Sequence, residues 1–215
     1  MYQDPAGCGA RVSRAELRKR KVIDTARKLF IENGFHATGI AQIARESGVA
    51  VAQIYRDFAS KEDIVAALVQ VDCIALMCGD PLNTAIRAGN KAEVLKWVHQ
   101  FIEPDDDLEG NRLFAEIVAE SSRNERIAAI FTAVQDEFRP NLLAALALLA
   151  PGTELARERE VLADAIATIS LGLLHHQLMR PVLDVEPLVE AFKQIVDQRI
   201  SALNAAGDRA AERTE

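Results

Sequence analysis

The chain has 215 residues, 49% of them hydrophobic and 27% charged, with a formal net charge of −7 and three cysteines. That is enough apolar material to bury one sizeable core or two small ones, which excludes a disordered chain. No apolar run approaches the roughly 20 residues that span a bilayer, the start lacks the basic-then-apolar order of a signal peptide, and Cys8, Cys73 and Cys78 lack the dense even spacing of a disulfide scaffold. A reduced, cytoplasmic protein without a membrane span is expected. The charge is uneven: residues 1–61 carry 11 Lys and Arg against 6 Asp and Glu, and residues 62–215 carry 14 against 26. Because the Debye length at physiological salt is about 8 Å, a local basic surface decides attraction to phosphates, whatever the whole-chain sum.

In chain order, helical periodicity dominates and no sustained alternation reads as a strand, so the fold class is all-α. Residues 1–13 form a basic N-terminal arm. Ser13 with Glu16 is a capping box that opens a helix with Ile23, Ala26, Leu29 and Phe30 on one stripe, stopped at Asn33-Gly34. Two short helices follow, about 40–47 and 51–58, with Gly48 in the turn between them. That is the outline of a helix-turn-helix over residues 39–58, within a three-helix domain at 14–61. Ser60 caps a longer helix, with Ile64, Ala67, Leu68 and Val71 on one face, that joins this domain to the rest and ends near Gly79-Asp80-Pro81. A helical body over 62–205 then contains helices at about 82–102, 108–121, 124–149, 157–180 and 186–205. Residues 206–215 read as a frayed tail.

A helix that enters a major groove needs inner residues to pack, outer residues to reach base edges and flanking residues to hold phosphates. Ile43, Ala44, Val49, Ile54 and Phe58 fall inward, while Val51, Ala52, Gln53 and Arg56 fall outward. Gln53 can pair with adenine, Arg56 can take guanine or a phosphate, and Val51 or Ala52 can touch a thymine methyl. Thr38, Tyr55 and Lys61 are natural phosphate holders, and Arg11, Arg14, Arg18, Lys19, Arg20 and Lys21 supply further backbone contacts.

The residues Ala26 through Thr38 (ARKLFIENGFHAT), then Ile43-Ala44 with Ser47-Gly48-Val49, then Ile54 through Glu62 (IYRDFASKE) resemble the TetR/AcrR family of repressors nearly position by position. The resemblance implies a DNA-binding domain on a larger ligand-binding and dimerisation domain, and a homodimer on a palindromic operator released by a small-molecule effector. Three positions depart from the family pattern. Ala50 stands where serine is usual, which removes a cap worth about 1 kcal/mol. Ala52 replaces a frequent glycine. Asp57 replaces a frequent histidine or tyrosine, and its carboxylate repels DNA unless it pairs with Arg56 or Arg45.

In relatives, the resemblance implies, the last two helices pair with their copies as a four-helix bundle. Val161, Ala165, Ile169, Gly172 and Leu173 on one helix, with Leu188, Phe192, Ile195, Val196 and Leu203 on the other, fit that dimerisation face. Trp97, Phe101, Phe114 and Phe138, with His175, His176 and Met179, are the candidate lining of a site for a largely apolar effector; Phe131 and Met77 are the other bulky residues of the region. Glu116, Glu120 and Arg123 read as either a polar lining or a surface ladder. Cys73 and Cys78 are poorly spaced around a helix for one metal and read as buried thiols. No cofactor motif, metal signature or nucleophile set appears, which leaves an enzyme without supporting residues. The rival reading is a helical small-molecule-binding or thiol redox-switch protein whose helix-turn-helix is only structural.

Overall fold

A computed structural model describes residues 13–77, 80–104 and 107–212, with side chains for all of these but 72–77, 80, 137 and 208–212. The expectations for the arm up to residue 12 and for the thiols of Cys8, Cys73 and Cys78 lie outside the described residues. The helices are α1 (Arg14–Asn33), α2 (Ile40–Ser47), α3 (Val51–Asp57), α4 (Lys61–Met77), α5 (Asp80–Arg87), α6 (Lys91–Ile102), α7 (Leu108–Ser121), α8 (Glu125–Leu149), α9 (Ala156–Met179) and α10 (Glu186–Glu212), with a short 3-10 turn at Thr153–Leu155. No strand occurs among the described residues.

The chain divides into two compact units, residues 1–69 and 70–215. In the first, α1 begins at the expected capping box: Ser13 N donates to Glu16 Oε2 at 2.7 Å and Glu16 N to Ser13 Oγ at 3.1 Å. Its buried stripe is Val22, Ala26, Leu29 and Phe30, with Ile23 only half-buried. Phe30 meets Phe35 edge to face, and Ile43, Ala44, Ile54 and Phe58 complete the core with α4. On α4 the inward residues are Ile64, Val65, Leu68 and Val69, while Val71 is exposed. The unit therefore extends past residue 61, because the first turns of α4 are part of its core.

In the second unit, α6, α8, α9 and α10 surround one apolar core. Val94, Val98 and Ile102 meet Leu142, Ala145, Leu146 and Leu149, then Leu162, Ala163, Ile166 and Leu173, then Val189, Val196, Ile200 and Leu203. Lys193 on α10 ties the ends together through Glu103 at 2.6 Å and Glu190 at 2.8 Å. α8 runs through Pro140, which removes one ladder hydrogen bond; Pro140 is exposed, so water can reach the freed carbonyl.

Two expectations are corrected here. The single helix over 82–102 is two, because Gly89 turns left-handed (φ +64) after α5 and Asn90 accepts from Glu93 N to start α6. The frayed tail is helical as far as Glu212, and Ala206 packs against the core. Thr153–Met179 is long and apolar enough by length and composition alone to cross a membrane, and 22% of its most apolar window is buried within this chain.

Leu146→Ala is expected to lower unfolding free energy by about 2–5 kcal/mol, because it opens a cavity at a site with no exposure. Val182→Ala, at a residue 99% exposed, is expected to change it by less than about 0.5 kcal/mol. Urea denaturation of both variants checks the contrast; equal losses would contradict the core described.

Candidate nucleic-acid interface

The outer surface of α3 is set from the inside. Gly48 takes the left-handed conformation (φ +66) that a helix end needs, and the buried Ser47 hydroxyl donates to Ala44 O and accepts from Val49 N. The turn so formed directs Ile54 and Phe58 into the core. Consequently Val51, Ala52, Tyr55 and Arg56 lie on the exposed side, Tyr55 being 53% exposed, with Gln53 half-buried beside them. Ala50 supplies no side-chain cap; the first turn closes through backbone alone, with Gln53 N and Ile54 N donating to Ala50 O at 2.8 and 3.0 Å.

Asp57 does not pair with Arg56 or Arg45. Its partner is Arg18, far away in sequence: Arg18 Nε donates to Oδ2 at 2.7 Å and Nη2 to Oδ1 at 2.9 Å. This two-pronged pair fixes α1 to the end of α3. It also holds the Asp57 carboxyl below its ordinary range, first through the Arg18 hydrogen bonds, against an opposing desolvation, with the Gln53 side chain and the Lys19 charge adding smaller pulls. Arg18 was an expected phosphate contact; its guanidinium fork is instead engaged within the fold.

Two further expected phosphate holders turn inward. Thr38 is fully buried and its hydroxyl donates to Leu29 O and Gly34 O, closing the loop after α1. Lys61 Nζ donates to Phe35 O at 2.7 Å and Thr38 O at 3.2 Å and sits 4.0 Å over the Phe35 ring. Both are corrected to ties that hold the α1–α2 loop, because the loop's carbonyls need donors more than solvent supplies. The only sequence signal for this was an aromatic at 35 with a lysine at 61, and nothing in the chain order joins them. Arg14, Lys19, Arg20 and Lys21 remain exposed on α1, with Arg45 on α2 and Arg56 on α3.

Residues 22–68 match the sequence model of the bacterial regulatory proteins of the tetR family. Over those residues the chain is similar to that family. UidR of Escherichia coli K12, a helix-turn-helix transcriptional regulator, is 30% identical over 121 residues, covering 54% of this chain and 58% of UidR. The chain thus matches little more than half the length of this relative. A transcriptional regulator from Pseudomonas aeruginosa PAO1 shares the fold at 19% identity with a TM-score of 0.68, covering 92% of this chain and 95% of that one. FadR from Bacillus subtilis, solved in complex with stearoyl-CoA, does so at 18% identity and a TM-score of 0.59, covering 82% and 96%.

In the helical body the candidate effector rings meet in two sets. Trp97, Phe101 and Phe138 pack on one another with ring centroids 5.8 and 5.6 Å apart, while Phe114 pairs separately with Phe131 at 5.6 Å. His175 Nδ1 lies 3.0 Å from Leu171 O, His176 Nε2 is buried without a hydrogen-bond partner, and Met179 is 73% exposed. Glu120 is buried and accepts from the exposed Arg123 Nε at 2.7 Å, so that pair reaches from the end of α7 to the surface. Among the described residues no cluster of three or more His, Cys, Asp or Glu is placed to hold a metal ion.

The candidate dimer residues divide into two faces. Val161 and Ile195 are 53% and 54% exposed, Ala165 and Gly172 are also exposed, and Ile169, Leu188 and Phe192 are half-buried against the core. Leu173, Val196 and Leu203 are corrected to core residues. Both helices carry apolar residues on opposite sides, and periodicity alone does not say which side turns inward.

Pairing with Arg18 lowers the folded-state pKa of Asp57, so its contribution to stability is present above the unfolded carboxylate range. That contribution is lost as pH falls through the lowered folded value. Wild type is expected to resist urea better than Asp57→Asn at neutral pH, with the gap closing as the solution is acidified from the unfolded carboxylate range down through the lowered folded value. Urea midpoints across pH check this, and a gap that does not change with pH would mean the carboxylate charge contributes nothing.

Proposed function

We propose that this chain is a DNA-binding transcriptional regulator, usually a repressor, that acts in the cytoplasm as a homodimer on a palindromic operator and is released by a small, largely apolar effector. The observation that carries the reading is the exposed face of α3, where Tyr55 and Arg56 stand beside Val51 and Ala52 on a helix whose other side is anchored by Ile54. A rigid short helix with an amphipathic aromatic, a guanidinium and two small apolar groups outward is suited to a major groove. Arg14, Lys19, Arg20 and Lys21 on exposed α1 positions supply the sequence-independent attraction to phosphates.

The dimer reading is supported by a stripe at helical spacing on α9, Val161, Ala165, Thr168, Gly172 and His175, of which all but the half-buried His175 are exposed, and by Ala191, Ile195 and Ala202, all exposed, on α10. A Cβ added at Gly172 meets nothing within 4 Å, which leaves room for close approach of a second helix. Covering this stripe also accounts for a helix as apolar as α9 with so little of it buried in one chain. A palindromic operator read in successive major grooves requires the two recognition helices of a dimer about 34 Å apart, one turn of the duplex. Arg14, Tyr55 and Arg56 are the residues we assign to DNA contact, with Val51 and Ala52 in apolar contact. The effector reading is supported by the half-buried Trp97, Phe101 and Phe138 cluster and by the acyl-CoA complex of the fold relative FadR. α4 begins in the first unit and ends in the second, so it is the covalent route for the effector's differential affinity to reach α3.

Titration of the full chain onto duplex fragments from its own promoter region tests the first part. Tyr55→Ala or Arg56→Ala is expected to weaken binding by about tenfold or more with the fold intact. Ile195→Asp is expected to give monomers by sedimentation and to lose duplex affinity. Unchanged binding in all of these variants would defeat the DNA-reading account.

Trp97 is the only tryptophan in the chain, so its emission reports on the aromatic cluster. Stearoyl-CoA is expected to shift that emission and to weaken duplex binding over the same concentration range. Emission untouched by a series of acyl chains would remove the apolar effector.

A further inference from the structure

The first two turns of α1 stand clear of the core. From Ser13 to Lys21 no residue is buried, Leu17 is 55% exposed, and the apolar stripe begins only at Val22. The capping box keeps these turns helical but does not aim them. Among the described residues, their one hydrogen-bonded tie to another element is the Arg18–Asp57 pair, at 2.7 and 2.9 Å.

Asp57 is placed against local electrostatics. It is the last residue of α3, at the negative end of the helix dipole, where an anion is disfavoured. Its side chain is only 9% exposed, so it has given up much of its hydration as well. The Arg18 guanidinium on α1 offsets both costs. That face of α1 is turned to both ends of α3. Residues 14, 18 and 21 stand four and three apart, on one side of the helix. Lys21 Nζ lies 3.7 Å from where a Cβ on Gly48 would be, in the turn before α3, while Arg18 is held at its last residue. Arg14, exposed on the same face, stands one turn before Arg18, about 6 Å along the axis.

We propose that Asp57 is a positioning residue for phosphate contact: by holding Arg18 it sets the overhanging start of α1, and with it Arg14 and Lys21, against the backbone of a duplex whose major groove α3 enters. The carboxylate itself touches no DNA, and Arg18 stays on it in the complex. An acid on the DNA-facing unit thereby raises affinity for a polyanion, opposite in sign to the effect of its charge alone. This inference rests on the DNA-binding reading above and deepens it to the backbone contacts.

The affinity of the full chain for duplex fragments from its own promoter region, measured across salt concentrations, tests it. Each phosphate contact contributes about 0.9 to the slope of log affinity against log salt, and a substitution acts twice in a dimer. Arg14→Ala is therefore expected to flatten the slope by about 2. Asp57→Ala and Arg18→Ala, which break the tie from either side, are each expected to weaken binding by about fivefold or more and to flatten the slope by about 2 or more. Arg14→Ala added to Asp57→Ala is expected to change the slope by less than about 0.5, since the contact is already lost. Hydrogen exchange at residues 18–21 is expected to quicken in Asp57→Ala, while the hydrogen-bonded amides of Ile43, Ile54 and Phe58 keep their protection and so report an intact fold. Tighter binding by Asp57→Ala, the result expected if the acid merely repels DNA or withholds Arg18 from a phosphate, would overturn the proposal. So would an equal cost of Arg14→Ala in both backgrounds, or unchanged exchange at residues 18–21. If wild type binds no duplex at any salt concentration, the DNA-binding reading itself falls, an outcome distinct from a lost coupling.

Discussion

The geometry of the first unit depends on burying Ile54. α3 has seven residues, too short to persist as an isolated helix, since nucleation is unfavourable and each added residue returns only one hydrogen bond. It also lacks a side-chain cap. What holds it is Ile54 at zero exposure and Phe58 nearly so, packed with Ile43 and Ala44 of α2 across the tight turn at Gly48. With that inner side fixed, the directions of Val51, Ala52, Tyr55 and Arg56 follow from 100° per residue. A surface meant to meet another molecule with low entropy loss is thereby organised by a core that never touches it.

Charge in this unit is divided between internal and external use. Lys61 and Arg18 satisfy groups of the fold itself, the first by closing on two loop carbonyls over an aromatic face, the second by neutralising an otherwise isolated carboxylate. The exposed cations on α1, Arg45 on α2 and Arg56 on α3 are among the remainder. The distinction matters because a cation bound in a two-pronged pair, unlike a solvated one, would have to give up its partner before it could contact a phosphate. Removing only one member of such a pair would leave the other charge poorly compensated.

The second unit has a different constraint. α9 and α10 supply one stripe to the core through Leu162, Ile166 and Leu173, and Val189, Val196 and Leu203, yet each also shows apolar or small residues on the other side. A helix apolar on both sides is stable in water only if something covers the second face. The small residues there, Ala165, Gly172, Ala191 and Ala202, suit a flat, close contact between helices.

The amino-acid sequence alone determined the local events: the Ser13 capping box, the Gly34 and Gly48 stops, the two short helices between them and the division of basic from acidic segments. These are legible because each depends on residues within a turn or so of one another, where backbone sterics and capping chemistry act. Even the Gly89-Asn90 break in the body was written locally, though apolar periodicity running across it masked the signal. What only the tertiary structure decided was the partnership of distant side chains. Arg18 and Asp57 lie 39 positions apart, Lys61 and Phe35 26 apart, and no local rule pairs them. The choice of inward face on α9 and α10 was likewise open, since two apolar stripes on one helix are equivalent until a neighbouring helix packs against one of them.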